Sequence, residues 1–243
     1  MKKMRIAAAV ILAAAAAAAW YFSRGGEFLY SATVEATEVD VSSRLSSLIA
    51  AKEVSEGESV RRAQSLFRLD CDEFKLAADV AERDFARAEQ LYKGGSMPRE
   101  NYDRLQYRRD DSALRVTWCA VKSPLKGRVL YTYHEPGEMV SPGTKLATLA
   151  NLAEVWAYIY VPQAVAARLA TGMELKGYLP ELGMREFGGK ISVINEEAEF
   201  TPKNVQTRQE RTRLVFGVKV TFPNPEGILK PGSTIEVKLP QGL

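Results

Sequence analysis

The feature that most limits how this chain can fold is an ungapped internal echo. Residues 41–70 written above 121–150, an offset of 80, align Val41 with Val121, Ser43 with Ser123, Leu45 with Leu125, Gly57 with Gly137, Glu58 with Glu138, Val60 with Val140, Leu66 with Leu146 and Leu69 with Leu149. Ile49 and Val129 keep the apolar character where identity lapses. Each copy holds short apolar runs broken by turn signals, a strand pattern. Gly57 and Gly137 supply the positive-φ turn residue that a side chain disfavours. Neither copy can bury an apolar face alone, so the two are expected to close into one small sandwich.

Between the copies, residues 71–118 change period. Ala77, Ala81, Phe85, Ala88 and Tyr92 recur at helical steps, and so do Tyr102, Leu105, Arg109, Ser112 and Val116. Lys93-Gly94-Gly95-Ser96-Met97-Pro98 forms a tight turn between them, with Ser96 or Met97 expected to cap the second helix ahead of Pro98. These are narrow seams of the coiled-coil kind, weakened where Arg109 interrupts the second. Residues 72–118 carry nine Lys/Arg and ten Asp/Glu, so most of the surface must be wet. Pairs at i,i+4, namely Asp79/Arg83, Glu100/Arg104 and Asp111/Arg115, add a few tenths of a kcal/mol each. Either the hairpin stands out as an arm of roughly 30–35 Å, or it folds back on the body.

Cys71 precedes the hairpin and Cys119 follows it. If the flanking strands are neighbours, the thiols sit across the neck of the arm. A disulfide is then reasonable in an oxidising compartment, given Cα atoms within ~7 Å. Two small residues filling space is the other reading. One histidine and two cysteines are too few for a built-in zinc site. A balance of 33 basic to 30 acidic residues, +3, does not argue for nucleic acid. There is no Gly-x-Ser-x-Gly elbow, phosphate-binding glycine loop or His-Glu-x-x-His, so no catalytic residue or cofactor is expected. His134 lies in a turn and reads as a surface residue.

At the amino terminus Lys2, Lys3 and Arg5 precede an uncharged run over 6–22. In a helix it would span ~25 Å, the lower end of membrane-spanning lengths. Trp20, Tyr21 and Phe22 sit where an interfacial aromatic cluster would, and the positive-inside rule places the rest of the chain outside the cytoplasm. A cleaved signal peptide is the alternative, since Ala-x-Ala sites fill 13–19. Either way the bulk is exported.

Beyond residue 150 the run 155–161 is rich in β formers, and Pro162 opens a short helical stretch to Leu169. Further strands are expected at 175–179, 189–194, 214–222 and 234–239, with residues 29–39 adding another, as a compact antiparallel barrel. The domain plan is thus 1–24 as anchor or signal, 25–40 as leading strand and connector, 41–70 with 119–150 as sandwich, 71–118 as hairpin and 151–243 as barrel.

Val54-Ser55-Glu56-Gly57-Glu58-Ser59-Val60 and Ser123-Pro124-Leu125-Lys126-Gly127-Arg128-Val129, the latter with Glu135-Pro136-Gly137-Glu138-Met139-Val140-Ser141-Pro142-Gly143, resemble the half-motifs of a biotinyl/lipoyl-type domain. Their separation by a helical hairpin is similar to HlyD-like periplasmic adaptor proteins, or membrane fusion proteins, from about residue 30 onward. One departure is Ser47, where such proteins carry the glycine that Gly127 retains. Carrier domains place a modified lysine on the turn that the hairpin occupies here, so no carrier role is implied. The run 196–220 resembles the barrel segment of adaptors serving ABC-type exporters. After the last strand no residues remain for the membrane-proximal domain of RND-pump adaptors.

Arg87-x-x-x-Leu91 before the turn is similar to the Arg…Leu…Ser tip with which such adaptors meet an outer-membrane tunnel, although the serine position falls on Pro98. Arg87, Leu91, Gly94, Gly95, Ser96 and Met97 are thus candidate docking residues, and equally readable as ordinary surface and seam. The resemblance implies a non-enzymatic adaptor anchored by one pass in the inner membrane, with its bulk in the periplasm. Its implied partners are an inner-membrane exporter, an outer-membrane tunnel and its own copies in a trimeric or hexameric ring. The alternatives are an exported structural or partner-binding module and an exported enzyme.

Overall fold

The computed structural model describes residues 29–200 and 214–240. The candidate anchor, with Trp20, Tyr21 and Phe22, lies outside the described residues, as do residues 201–213 of the run that resembles ABC-exporter adaptors. No helix among the described residues is long and apolar enough to cross a membrane. The chain is mainly β and divides into two compact units, one of residues 35–155 with 223–231, the other of the remainder.

The first unit is the sandwich that the repeat demands, and its strands keep the offset of 80. β2 (Ser47–Lys52), β3 (Ser59–Val60) and β4 (Ser65–Leu69) precede the hairpin. β5 (Ala120–Lys122), β6 (Gly127–Thr132), β7 (Met139–Val140) and the start of β8 (Lys145–Pro162) follow it. The copies interlock. Ser47 of β2 pairs with Val140 of β7, and the equivalent Gly127 of β6 pairs with Val60 of β3. Loop hydrogen bonds repeat in the same way: Gly137 N–H to Ile49 O and Gly57 N–H to Val129 O, both 2.8 Å. Ser43 and Ser123 are buried, each with Oγ donating to the carbonyl two residues on, Leu45 and Leu125. A chain with this internal twofold buries equivalent residues on equivalent terms. Ile49 and Val129, Val60 and Val140, Leu66 and Leu146, and Leu69 and Leu149 are all within 2% of fully buried. At the centre, Phe67 stands where the other copy has Ala147, both fully buried, so one large and one small side chain fill a shared core.

In the second unit, β1 (Leu29–Ser42) pairs antiparallel with β12 (Thr234–Lys238), β12 with β9 (Glu174–Leu179), β9 with β10 (Arg185–Phe200) and β10 with β11 (Leu214–Pro223). β11 neighbours β8 in the strand order, and β1 also pairs with β8. The expected run 155–161 is not a separate strand. It continues β8, because no glycine or proline intervenes between Lys145 and Tyr160. β10 likewise exceeds the expected 189–194, with register shifts between Ile191 and Val193 and between Ile194 and Ala198. Gly177 and Gly189 flank the ring of buried Phe222, where an added Cβ would lie 2.7 and 2.4 Å from ring atoms. These strand glycines leave room for a large core side chain.

Candidate functional site

The hairpin is built from α1 (Asp72–Lys93) and α2 (Arg99–Trp118), which leave and re-enter the sandwich between β4 and β5. At 1.5 Å per residue they extend about 33 and 30 Å. At the neck Cys71 and Cys119 are joined, S–S 1.98 Å and Cα–Cα 5.7 Å. Leu69 N–H donates to Cys119 O at 2.8 Å beside the bond. Both cysteines are buried in the sandwich core, with Phe74, Val116 and Trp118 packed against it.

The seam on α1 consists of buried Ala81, Phe85 and Ala88, preceded by half-buried Phe74 and Ala78. Ala77, expected in the seam, is exposed instead. The stripe Phe74, Ala78, Ala81, Phe85, Ala88 alternates steps of four and three, which holds one face toward the partner helix better than the consecutive fours that Ala77 would need. On α2 the expected Tyr102, Leu105, Arg109, Ser112 and Val116 do face inward, yet none is fully buried. The pair is therefore a helical hairpin with a one-sided seam, short of a regular coiled coil, because Arg109 and Ser112 supply no apolar knob. Arg109 does not leave a gap. Its guanidinium lies 4.0 Å from the centroid of the Phe85 ring and pairs with Asp110, a cation–π contact that keeps the charge wet and the stem packed. Tyr102 stacks on Tyr92 at 4.6 Å and leans on Phe85 at 5.4 Å. Of the expected ion pairs Asp111–Arg115 forms, at 2.9 Å, while Arg104 donates to Asn101 instead of Glu100.

At the tip α1 ends in a Schellman arrangement: Ser96 N–H donates to Leu91 O and Gly95 N–H to Tyr92 O, with Gly95 at φ 71°. The expected Ser96 or Met97 cap does not occur. Pro98 occupies the cap position without a side-chain cap bond, and its carbonyl accepts from Asn101 N–H at 3.1 Å. Arg87 and Leu91 lie one turn apart on the same side of α1, both exposed, Arg87 bonded to Asp84. Gly94, Gly95 and Ser96 are exposed and Met97 half-buried. The tip thus presents the exposed side chains of Arg87, Leu91 and Ser96, with those of Lys93 and Arg99 close by in the chain.

Elsewhere in the sandwich unit a polar group escaped the sequence reading. Buried Thr148 donates to Asp40 at 2.8 Å and shares a hydrogen bond with Tyr133 at 2.9 Å, while Lys145 pairs with Asp40 at 2.8 Å. The hydrogen bond from Lys145, then that from Thr148, holds the Asp40 carboxyl below its ordinary value. His134 pairs with Glu138 at 2.5 Å on the surface. Among the described residues no cluster of metal ligands occurs.

Two family models match the chain: the barrel-sandwich hybrid domain of RND membrane fusion proteins over residues 37–151, and the CusB-like β-barrel domain over 154–242. Among curated relatives, a UPF0194 membrane protein of Acidithiobacillus ferridurans is 37% identical over 125 residues, 51% of this chain and 37% of that protein. The UPF0194 membrane protein YbhG of Salmonella gallinarum is 31% identical over 116 residues, 48% and 35% of the two chains. The match therefore spans little more than a third of each relative's length. Among solved structures, a MacA–MexA chimera carrying the Pseudomonas aeruginosa MexA α-hairpin has TM-score 0.69 at 16% identity, covering 88% of this chain and 79% of the chimera. The membrane fusion protein Spr0693 of Streptococcus pneumoniae has TM-score 0.61 at 20% identity, covering 89% and 100%. At these identities the likeness is one of fold.

Proposed function

We propose that this chain, which carries the barrel-sandwich hybrid and β-barrel domains of membrane fusion proteins, is a non-enzymatic periplasmic adaptor of a tripartite efflux or secretion system. It joins an inner-membrane exporter to an outer-membrane tunnel. The observation that carries the reading is the hairpin itself: two helices with a wet outer surface, rooted between the halves of an interlocked sandwich. Their exposed tip offers Arg87, Leu91 and Ser96 for docking. A rod fastened this way acts as a spacer, transmitting position from the sandwich to the tip without binding cargo. Residues 196–220 and their resemblance to the barrel segment of ABC-exporter adaptors favour an ABC-type partner. The apolar run over 6–22 serves as the inner-membrane anchor, and copies of the chain assemble in a ring of three or six.

The test is a photoreactive residue at Leu91 or Ser96 of the full chain in its own cell envelope. Capture of one outer-membrane protein from either position is the expected result. Capture of this chain alone, or of inner-membrane proteins only, would sink the assignment of the tip.

A further inference from the structure

The internal twofold of the sandwich relates two surface sites whose chemistry is opposite. The first is an open groove of about 270 Å³ at the root of the hairpin. Its apolar lining includes Phe74 with Leu48 and Met139, which face each other across β2 and β7 and are 45% and 63% exposed. Asp70, Asp72 and Glu73 line it as well. Lys75, 3.5 Å from Asp72, is the one ion-pair partner of these acids among the described residues.

The offset of 80 carries Leu48 to Arg128, Met139 to Ser59, Ser46 to Lys126 and Asp70 to Ala150. At that equivalent edge Ser59 pairs with Arg128 and Val60 with Gly127, so Arg61 and Arg62 follow one strand of the pair and Lys126 precedes the other. Lys122, opposite Ser65, lies on the other sheet. Arg61, Arg62, Lys122, Lys126 and Arg128 are all exposed, and among the described residues none makes an ion pair. Lys126 and Arg128 thus stand where the other copy has the groove residues Ser46 and Leu48, with Arg61 and Arg62 next along the chain from Val60.

We propose that the groove receives the basic edge of a second copy of this chain, head to tail. A groove-to-groove contact would bring acid onto acid, and an edge-to-edge contact cation onto cation, each repulsive when water is excluded. Groove to edge satisfies both and covers Leu48 and Met139. Because the two surfaces differ, the contact is heterologous, and each copy added leaves a free groove and a free edge. Repetition closes a ring when the rotation allows it. The inference rests on the adaptor reading, to which it adds the faces by which copies meet.

Two charge-reversed full-length chains in detergent test it. One carries Leu48→Arg with Glu73→Lys, the other Arg62→Glu with Lys126→Glu, with circular-dichroism melts as a check of folding. By light scattering the native chain is expected to form multimers that weaken with added salt. Each variant alone is expected to associate at least tenfold more weakly, and an equimolar mixture to regain the native assembly. Either variant assembling alone like the native chain, or a mixture that stays monomeric, overturns the contact. So do edge variants that lose binding to anionic phospholipid vesicles while assembling normally. Should a variant melt early, bismaleimide crosslinking of Met139→Cys mixed with Lys126→Cys replaces it: mixed dimers support the contact and their absence overturns it. A native chain that is monomeric throughout overturns the ring reading itself, whereas native multimers indifferent to these substitutions overturn the contact alone.

Discussion

Ala63 and Gly143 occupy equivalent places in the two copies, and both backbones are left-handed there, φ 66° and 90°. Their N–H groups donate to equivalent carbonyls, Ser123 O and Ser43 O. The turn therefore demands positive φ in both copies, and only the second supplies glycine. A side chain there costs about 1–2 kcal/mol, offset by the roughly 0.4–1 kcal/mol that glycine adds to unfolded-chain freedom. Ala63→Gly is expected to stabilise by about 0.5–1 kcal/mol, read as a rise in the urea midpoint at unchanged slope; a fall would show that the turn is not strained. Ser47 and Gly127 pose the converse case. A Cβ on Gly127 would lie 2.3 Å from Ala150 O, whereas Ser47 Oγ donates at 2.7 Å to Asp70 O, the equivalent carbonyl. In one copy a hydroxyl meets that carbonyl, and in the other the backbone leaves no room for a Cβ beside it. Gly127→Ala should cost about 1–3 kcal/mol, as overpacking does, while Ser47→Ala should lose only about the one hydrogen bond.

Also at this scale, the hydrogen bond from Lys145 depresses the Asp40 carboxyl below 3.8, and the same bond raises the Lys145 ammonium above 10.5. A depressed carboxylate contributes stability that is present above its unfolded value and disappears as pH falls through the folded one. A raised ammonium contributes below its unfolded value and loses that contribution as pH rises through the folded one. Asp40→Asn should therefore leave a smaller stability loss on the acid side and on the alkaline side, both modest because solvent screens the pair. Unchanged pH profiles in denaturant melts would remove Asp40 from the account.

At the scale of elements, the hairpin interrupts a sheet, and the disulfide at its neck makes that tolerable. Cys71 and Cys119 are 48 residues apart. In the chain-entropy model, closing a loop of that length stabilises by about 4 kcal/mol. The paired Cys71→Ala and Cys119→Ala variant should lose that order of stability, with unfolding midpoints of sandwich and hairpin falling together. A loss confined to the hairpin would mean that the bond does not brace the sandwich. Within the hairpin, Arg109→Ala should cost about 1 kcal/mol through the lost stack on Phe85, seen as faster amide exchange over α2. Equal exchange in variant and native chain would count against the stack.

Across the whole molecule, stability is expected to be uneven. The repeat core is fully buried in both copies at Leu66, Phe67, Leu146 and Leu149, while α2 has no buried residue. Amides of β4 and early β8 should exchange only on global unfolding, and those of α2 by local opening at lower free energy. Uniform protection throughout would contradict the picture of a wet rod on a dry base.

The sequence alone settled the sandwich, because a gapless twofold echo with turns at matching places has few ways to bury both apolar faces. The helical period of residues 72–118 was legible too, but both a projecting arm and a hairpin folded back on the body fitted the pattern. The details needed coordinates. The seam's true start at Phe74, the stacking of Arg109 on Phe85 and the glycine hollows around Phe222 all depend on partners far away in the chain. So does the opposition of an acidic groove and a basic edge, which emerges only when the pairing of β3 with β6 sets the chain after Val60 against the chain before Gly127. Local pattern fixes which face an element must hide; which atoms meet there is decided by packing between segments that sequence order keeps apart.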